Sequence, residues 1–174
     1  MLGALSRSTL EFTADLPSSH PKLDALLEFW RSQHNGDELP QKSQFRARNL
    51  LPWLPHIAMI DAIGEPPRFR VRVMGMACVR LAGADYTGRW VDECVAPEDR
   101  EKTLQPYRES LKTGQPTRSN AVYLKDFGRV IVNRLYLPIA DEKGVSSSIL
   151  TALYDTDQPG SFDPGLKMTP IRLK

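Results

Sequence analysis

Arg68, Arg70 and Arg72 occupy alternate positions of one segment, and Arg134 stands further along. A guanidinium carries planar paired donors, so such a row could take a carboxylate or a phosphate; it could equally be a solvated or ion-paired face. Arg80, Tyr86 and Trp90 form a second group. Its aromatic members can stack on a planar ligand while offering a hydrogen-bond donor, although the same residue types also fill cores. Between them runs Gly83-Ala-Asp-Tyr-Thr-Gly88, whose glycines permit positive φ and whose Asp85 or Thr87 can cap neighbouring amides. It lacks the glycine spacing and the strand-to-helix context of a phosphate loop.

Other chemistries find less support. His20, His34 and His56 follow no ligand spacing, and Cys78 and Cys94 are the two cysteines, whereas a structural zinc site needs four such ligands at organised intervals. No metal site is expected. There is no nucleophile elbow, no His-Glu-x-x-His helix and no evident base-nucleophile pair, so no catalytic residue is assigned. Asp61 and Asp155, at strand ends, are the carboxylates singled out, with turn capping as the expected role of each.

A chain of 174 residues is about one domain, large enough to bury a core without staples. Hydrophobic residues at 41% and charged residues at 25% exclude wholesale disorder. A net charge of +2 gives no overall field for nucleic acid, and none is expected as a partner. No stretch approaches the roughly 20 apolar residues of a membrane span, and no signal peptide opens the chain. The cytoplasm, with reduced thiols, is the expected location.

The elements that must position these residues follow from periodicity. Residues 1–17 read as an arm in which Leu10 to Phe12 could pair as a short strand, 18–55 as a helix and linker strap, 56–156 as the core and 157–174 as a tail. Ser18-Ser-His-Pro21 caps a helix with Leu23, Leu26, Leu27 and Trp30 on one face, closed by Asn35-Gly36. Pro40, Pro52 and Pro55 limit the strap to one short helical turn, laid across the edge of the core. Ile57 to Ile63 and Phe69 to Met74 read as a hairpin around Gly64-Glu-Pro-Pro67, followed by a short helical segment after Gly75. Pro97-Glu-Asp99 opens a helix whose apolar face is Leu104, Tyr107 and Leu111, kinked or broken at Pro106 and ended by Gly114. Arg118 to Lys125, Arg129 to Pro138 and Ser146 to Tyr154 then form an antiparallel meander. The fold class is α+β: a five-stranded antiparallel sheet with helices on one face and an N-terminal amphipathic helix.

This order of elements resembles a PAS domain, as do the turn Gly83 to Gly88, the closing run Leu135-Tyr-Leu-Pro-Ile-Ala-Asp-Glu-Lys-Gly144 and Ile149-Leu-Thr-Ala-Leu-Tyr154. Leu26-Leu-Glu-Phe-Trp-Arg31 followed by Leu54-Pro-His-Ile-Ala-Met-Ile-Asp61 resembles bacterial stand-alone PAS-like proteins. The resemblance implies a ligand cavity between the sheet and its helices, walled by Arg80, Tyr86, Trp90, Tyr107, Arg134 and Tyr136, and a helix face of Leu23, Leu26, Leu27 and Trp30 that packs or dimerises. It implies a cytoplasmic sensory or regulatory protein, not an enzyme. Such a protein would bind a small molecule, form a homodimer and signal through a partner protein, with no output domain of its own. A ligand-free adapter of the same fold is an alternative, as is a small enzyme with a cone-shaped cavity whose first candidates are Asp61 and His56. The cofactor is unknown. Similarity to light-oxygen-voltage domains would place a flavin-reactive cysteine two residues beyond Arg89, where Val91 stands, with Cys94 three residues too late. A histidine-ligated haem would need a histidine between Pro97 and Thr113, and none occurs there.

Overall fold

The computed structural model describes residues 20–125 and 128–155. The expected arm and tail, including the possible strand at Leu10 to Phe12, lie outside the described residues, as does most of the turn expected at Asp126 to Gly128.

The chain forms α1 (Pro21–Ser32), β1 (Ile57–Ile63), β2 (Arg68–Met74), α2 (Met76–Ala82), α3 (Arg100–Thr113), β3 (Thr117–Lys125), β4 (Gly128–Ala140) and β5 (Ser146–Asp155). The strands make one antiparallel sheet in the order β2-β1-β5-β4-β3. Period-2 alternation gives this sheet two buried faces. Phe69 and Val71 of β2, Ala58 and Ile60 of β1, Ile149 of β5 and Tyr136 of β4 form an inner cluster with Val91 and Tyr107, under α2 and α3. The intervening Leu135, Leu137 and Ile139 of β4, Leu150 and Ala152 of β5 and Met59 of β1 form a separate cluster on the outer face.

That outer face is covered by α1 and the strap, so helices lie on both sides of the sheet, α2 and α3 inside and α1 outside. The strap therefore crosses a face of the sheet and not its edge. At 12 residues α1 is marginal on its own, and packing holds it. Leu23, Leu26 and Trp30 are buried against the sheet, Leu27 is half-buried, and the Trp30 indole Nε1 donates to the Pro138 carbonyl at 2.9 Å. Arg118 of β3 reaches Asp24 of α1 at 2.6 Å. The helix cap is His20, whose Nδ1 accepts from the Lys22 amide, and not a serine hydroxyl. The helix stops at Ser32, short of Asn35-Gly36, because Asn35 instead bridges to Glu38 around Gly36, which sits at φ +64°.

The strap contains three 3-10 turns, at Lys42–Gln44, Ala47–Asn49 and Leu54–His56, where one was expected. It is pinned by Trp53 Nε1 donating to Lys22 O at 2.8 Å, by Phe29 against Phe45 and Trp53, and by Ala140 N donating to Pro40 O at 2.9 Å. Gly75 closes the joint between β2 and α2: a Cβ there would lie 2.5 Å from the Pro55 carbonyl oxygen, in collision with the strap's backbone. Helix α3 runs through Pro106 without the break that was one of the two expected outcomes there. Pro106 and Tyr107 are both buried, and this burial offsets the one intrahelical bond that the proline cannot donate.

Candidate functional site

Between the inner sheet face and the helices lies a cavity of about 170 Å³. Its floor is Ala58, Ile60, Val71, Tyr123, Arg134, Thr151 and Leu153, brought side by side by the register Ala58 to Thr151 and Arg134 to Leu153. Its roof comes from Cys78, Leu81 and Ala82 of α2, the segment Tyr86 to Asp99, and Thr103 and Tyr107 of α3. Met74 belongs to the lining as well, and its Sδ accepts the Tyr86 amide at 3.3 Å, which fixes the loop that carries the Tyr86 ring. Asp85 holds the same loop by accepting from Thr87 N at 2.9 Å and Thr87 Oγ1 at 2.6 Å, a local turn as its sequence predicts.

Arg134 is the unusual group. It is 5% exposed, its nearest hydrogen bond is Nη1 to the Tyr136 hydroxyl at 3.4 Å, and its guanidinium carbon lies 5.5 Å over the Tyr123 ring. Among the described residues its Nε and Nη2 have no hydrogen-bond partner, and no carboxylate makes an ion pair with it. Asp99 also lines the cavity and is buried. The tyrosines stay neutral: burial raises the hydroxyl pKa of Tyr86, Tyr107 and Tyr123. Burial likewise pushes the Cys78 thiol up to about 12 and the Cys94 thiol up to about 11, so neither is a nucleophile near neutral pH.

Of the residues expected to wall the cavity, Tyr86, Tyr107 and Arg134 line it. Tyr136 lies fully buried behind it, edge-on to Tyr107 at 4.8 Å, with its hydroxyl shared between Arg134 and Ser119. Arg80 is exposed on α2, and Trp90 lies outside the lining under Arg68, 4.4 Å from its guanidinium carbon. The arginine row is engaged: Arg68 with Asp92 and Glu93, Arg70 with the Gly88 carbonyl, Arg72 with Asp61. Arg134 faces the cavity and does not join that row. Asp61 is not a turn cap. It accepts from Lys42 and Arg72 at 2.8 Å and from Ser148 at 2.9 Å; burial opposes its ionisation, but these bonds outweigh it and hold the carboxyl below its usual pKa. Neither Asp61 nor His56 lines the cavity. Asp155 ends β5, paired in register with Val132.

Several lining residues escape a reading by residue type. Asp99 and Thr103 share a helical face with the expected Tyr107, at every fourth position, while the apolar pattern picks out Leu104, Tyr107 and Leu111. Tyr123 is in phase with Ser119, which pairs across the ladder with Arg134, a phase visible only once the register is known. On the outer side, His20 and His56 stack on the two sides of the Tyr154 ring, at 4.5 and 4.0 Å, although 36 positions of sequence separate the histidines. Among the described residues no group of three or more His, Cys, Asp or Glu side chains could hold a metal ion.

A cysteinyl flavin or a histidine-ligated haem does not fit these residues. Val91 is buried in the lining where the reactive thiol would stand, and α3 contains no histidine. The 170 Å³ available is also well below the roughly 300–1,000 Å³ of pockets for larger ligands.

The sequence matches the PAS domain family over residues 18–154. No curated protein matches it. Similar solved structures include a light-oxygen-voltage domain studied with a flavin analogue, 16% identical, covering 62% of this chain and 82% of that one at a TM-score of 0.47. The light-state dimer of the fungal blue-light photoreceptor Vivid is 14% identical, with 82% and 99% covered and a TM-score of 0.46. The Vibrio cholerae VqmA dimer is 13% identical, with 62% and 49% covered and a TM-score of 0.45. The family match takes in all of α1 and every later element up to the penultimate residue of β5, and this chain belongs to the PAS domain family.

Proposed function

We propose that the chain is a sensory module that binds a small molecule in its inner cavity and passes its occupancy to a partner protein. The cavity itself carries this reading: an ordinary core closes around its side chains, whereas here about 170 Å³ stays open beside a buried arginine, a buried aspartate and three tyrosines. Apolar walls with a few convergent polar groups are the usual make-up of a small-molecule site. Transmission through α1 is supported by the meeting of His20 at its start with Tyr154 near the end of β5, so that both ends of the described fold leave from one place. We place the protein in the cytoplasm as a homodimer that works through contacts with other chains and not through catalysis. No described helix is long and apolar enough to cross a membrane.

Native mass spectrometry after gentle purification, joined to thermal-shift screening of a metabolite library, tests the reading. A ligand present at 100 times its Kd stabilises by about 2.7 kcal/mol, or roughly 10 °C for a domain of this size. Retained mass or a shift of that order supports the sensor. No retained mass and no shift across the library would leave a ligand-free adapter.

A further inference from the structure

We infer that the cavity selects a compact organic monoanion, a carboxylate carried on a body of about one ring, with Arg134 as its anchor; this rests on the small-molecule reading above. The anchor is built and unused. Arg134 is 95% withdrawn from solvent by its 5% exposure, and its Nη1 is directed to the Tyr136 hydroxyl. The two unpartnered nitrogens are Nε and Nη2. Their N–H bonds run parallel along one edge of the guanidinium plane, the edge that takes both oxygens of a carboxylate; each exposes less than 1 Å², so an anion reaches them through a turn of the Arg134 side chain. Tyr136 cannot swing away to serve them, since its hydroxyl is also held by Ser119 at 3.1 Å and its ring is packed on Tyr107.

The remaining lining sets the body and the charge. A cavity of about 150 Å³ accommodates benzene, so about 170 Å³ admits one six-membered ring with a short acidic substituent. Ile60, Val71, Val91 and Leu153 offer it apolar walls, and Tyr86 and Tyr107 offer aromatic ones. Asp99, the other charged side chain in the lining, makes no ion pair with Arg134. A single unpaired guanidinium is matched by a single carboxylate, which sets the ligand's charge at one.

The test compares benzoate with benzamide, its neutral isostere, by calorimetry and by amide chemical shifts on the full chain, and repeats both with Arg134→Met and Arg134→Lys. The expected result is that benzoate binds at least tenfold more tightly than benzamide, with shifts at Ile60, Val91, Thr103 and Leu153. Arg134→Met should erase that preference, weakening benzoate at least tenfold more than benzamide, and Arg134→Lys should restore it in part because a point charge replaces the paired donors. Benzamide binding as tightly as benzoate, or a preference that survives in Arg134→Met, overturns the anion assignment while keeping the cavity as a ligand site. If neither probe binds and no library compound shifts the melting temperature, the small-molecule reading itself falls. Retention of native amide dispersion in Arg134→Met separates loss of the anchor from loss of the fold.

Discussion

Trp30 offers the sharpest test of how α1 is held. The side chain is 3% exposed, packs among Leu23, Leu26 and Leu137 in the outer cluster, and donates from Nε1 to Pro138 O at 2.9 Å in a buried setting. Removing a buried Trp ring costs about 3–5 kcal/mol, and the carbonyl left without its donor adds part of a further 1–3 kcal/mol, so Trp30→Ala should cost about 5 kcal/mol. Trp30→Phe keeps most of the burial and loses the bond, for about 1–3 kcal/mol. At roughly 4 °C per kcal/mol for a domain of this size, the expected falls in Tm are about 20 °C and about 4–12 °C. Calorimetry at two widely separated protein concentrations reads both values. It also distinguishes packing within one chain, whose loss is independent of concentration, from an interface between copies, whose loss is not. If both variants melt within about 2 °C of the parent, α1 is not seated on the sheet and the covered outer face is refuted.

Three further outcomes follow from single features. Arg134→Met should raise the Tm of the ligand-free protein by about 4–8 °C, because relief of two unpaired buried donors outweighs the lost contact with Tyr123, for a net gain of about 1–2 kcal/mol; a lower Tm would mean that Arg134 is a structural group. Gly75→Ala should destabilise by more than about 2 kcal/mol, since its Cβ meets the Leu54 and Pro55 backbone and not a yielding side chain, and a melting curve like the parent's would place the strap elsewhere. The His20–Tyr154–His56 stack makes stability depend on pH. Burial lowers both histidines, for His20 against the attraction of Asp24 and Asp155 and with Lys22, and for His56 against the Leu153 carbonyl and with His20 and Lys22. Groups with depressed folded pKa values stabilise fully above the unfolded value of about 6.5 and lose that contribution as pH falls below it. Tm should therefore drop between about pH 7 and pH 5, and less in His56→Gln; a profile that is flat there, or identical in the variant, would contradict the stack.

The strands were legible because their signal is local. The run Ile57 to Ile63 is a strand with the bounds its sequence sets, and β2 begins one residue earlier than its apolar alternation, at Arg68, whose side chain is held outside by Asp92 and Glu93. Helix α3 was legible too, with its end at Gly114, and did not break at Pro106, whose burial carried the helix through. The candidate site was legible only in part. Alternation places Arg134 and Tyr136 on one face of β4 but does not say which face is roofed by α2 and α3; that depends on the pairing of β1 with β5, set by contacts about 90 residues apart in the chain. Packing of α1 and the strap on the outer face brings His20 and His56 to Tyr154 and Lys42 to Asp61. Arg80 and Trp90, chosen for their type, lie outside the lining because α2 turns the first to solvent and Arg68 covers the second.

The content of the inner cavity tests ligand binding most directly. A crystal structure of the protein as purified from its host, without added compounds, should show density for a small molecule between α2, α3 and the sheet, with an acidic end within hydrogen-bond distance of Arg134 Nε and Nη2. A cavity closed by inward rotation of Tyr86 and Met74, with Arg134 paired to a side chain of its own protein, would contradict it.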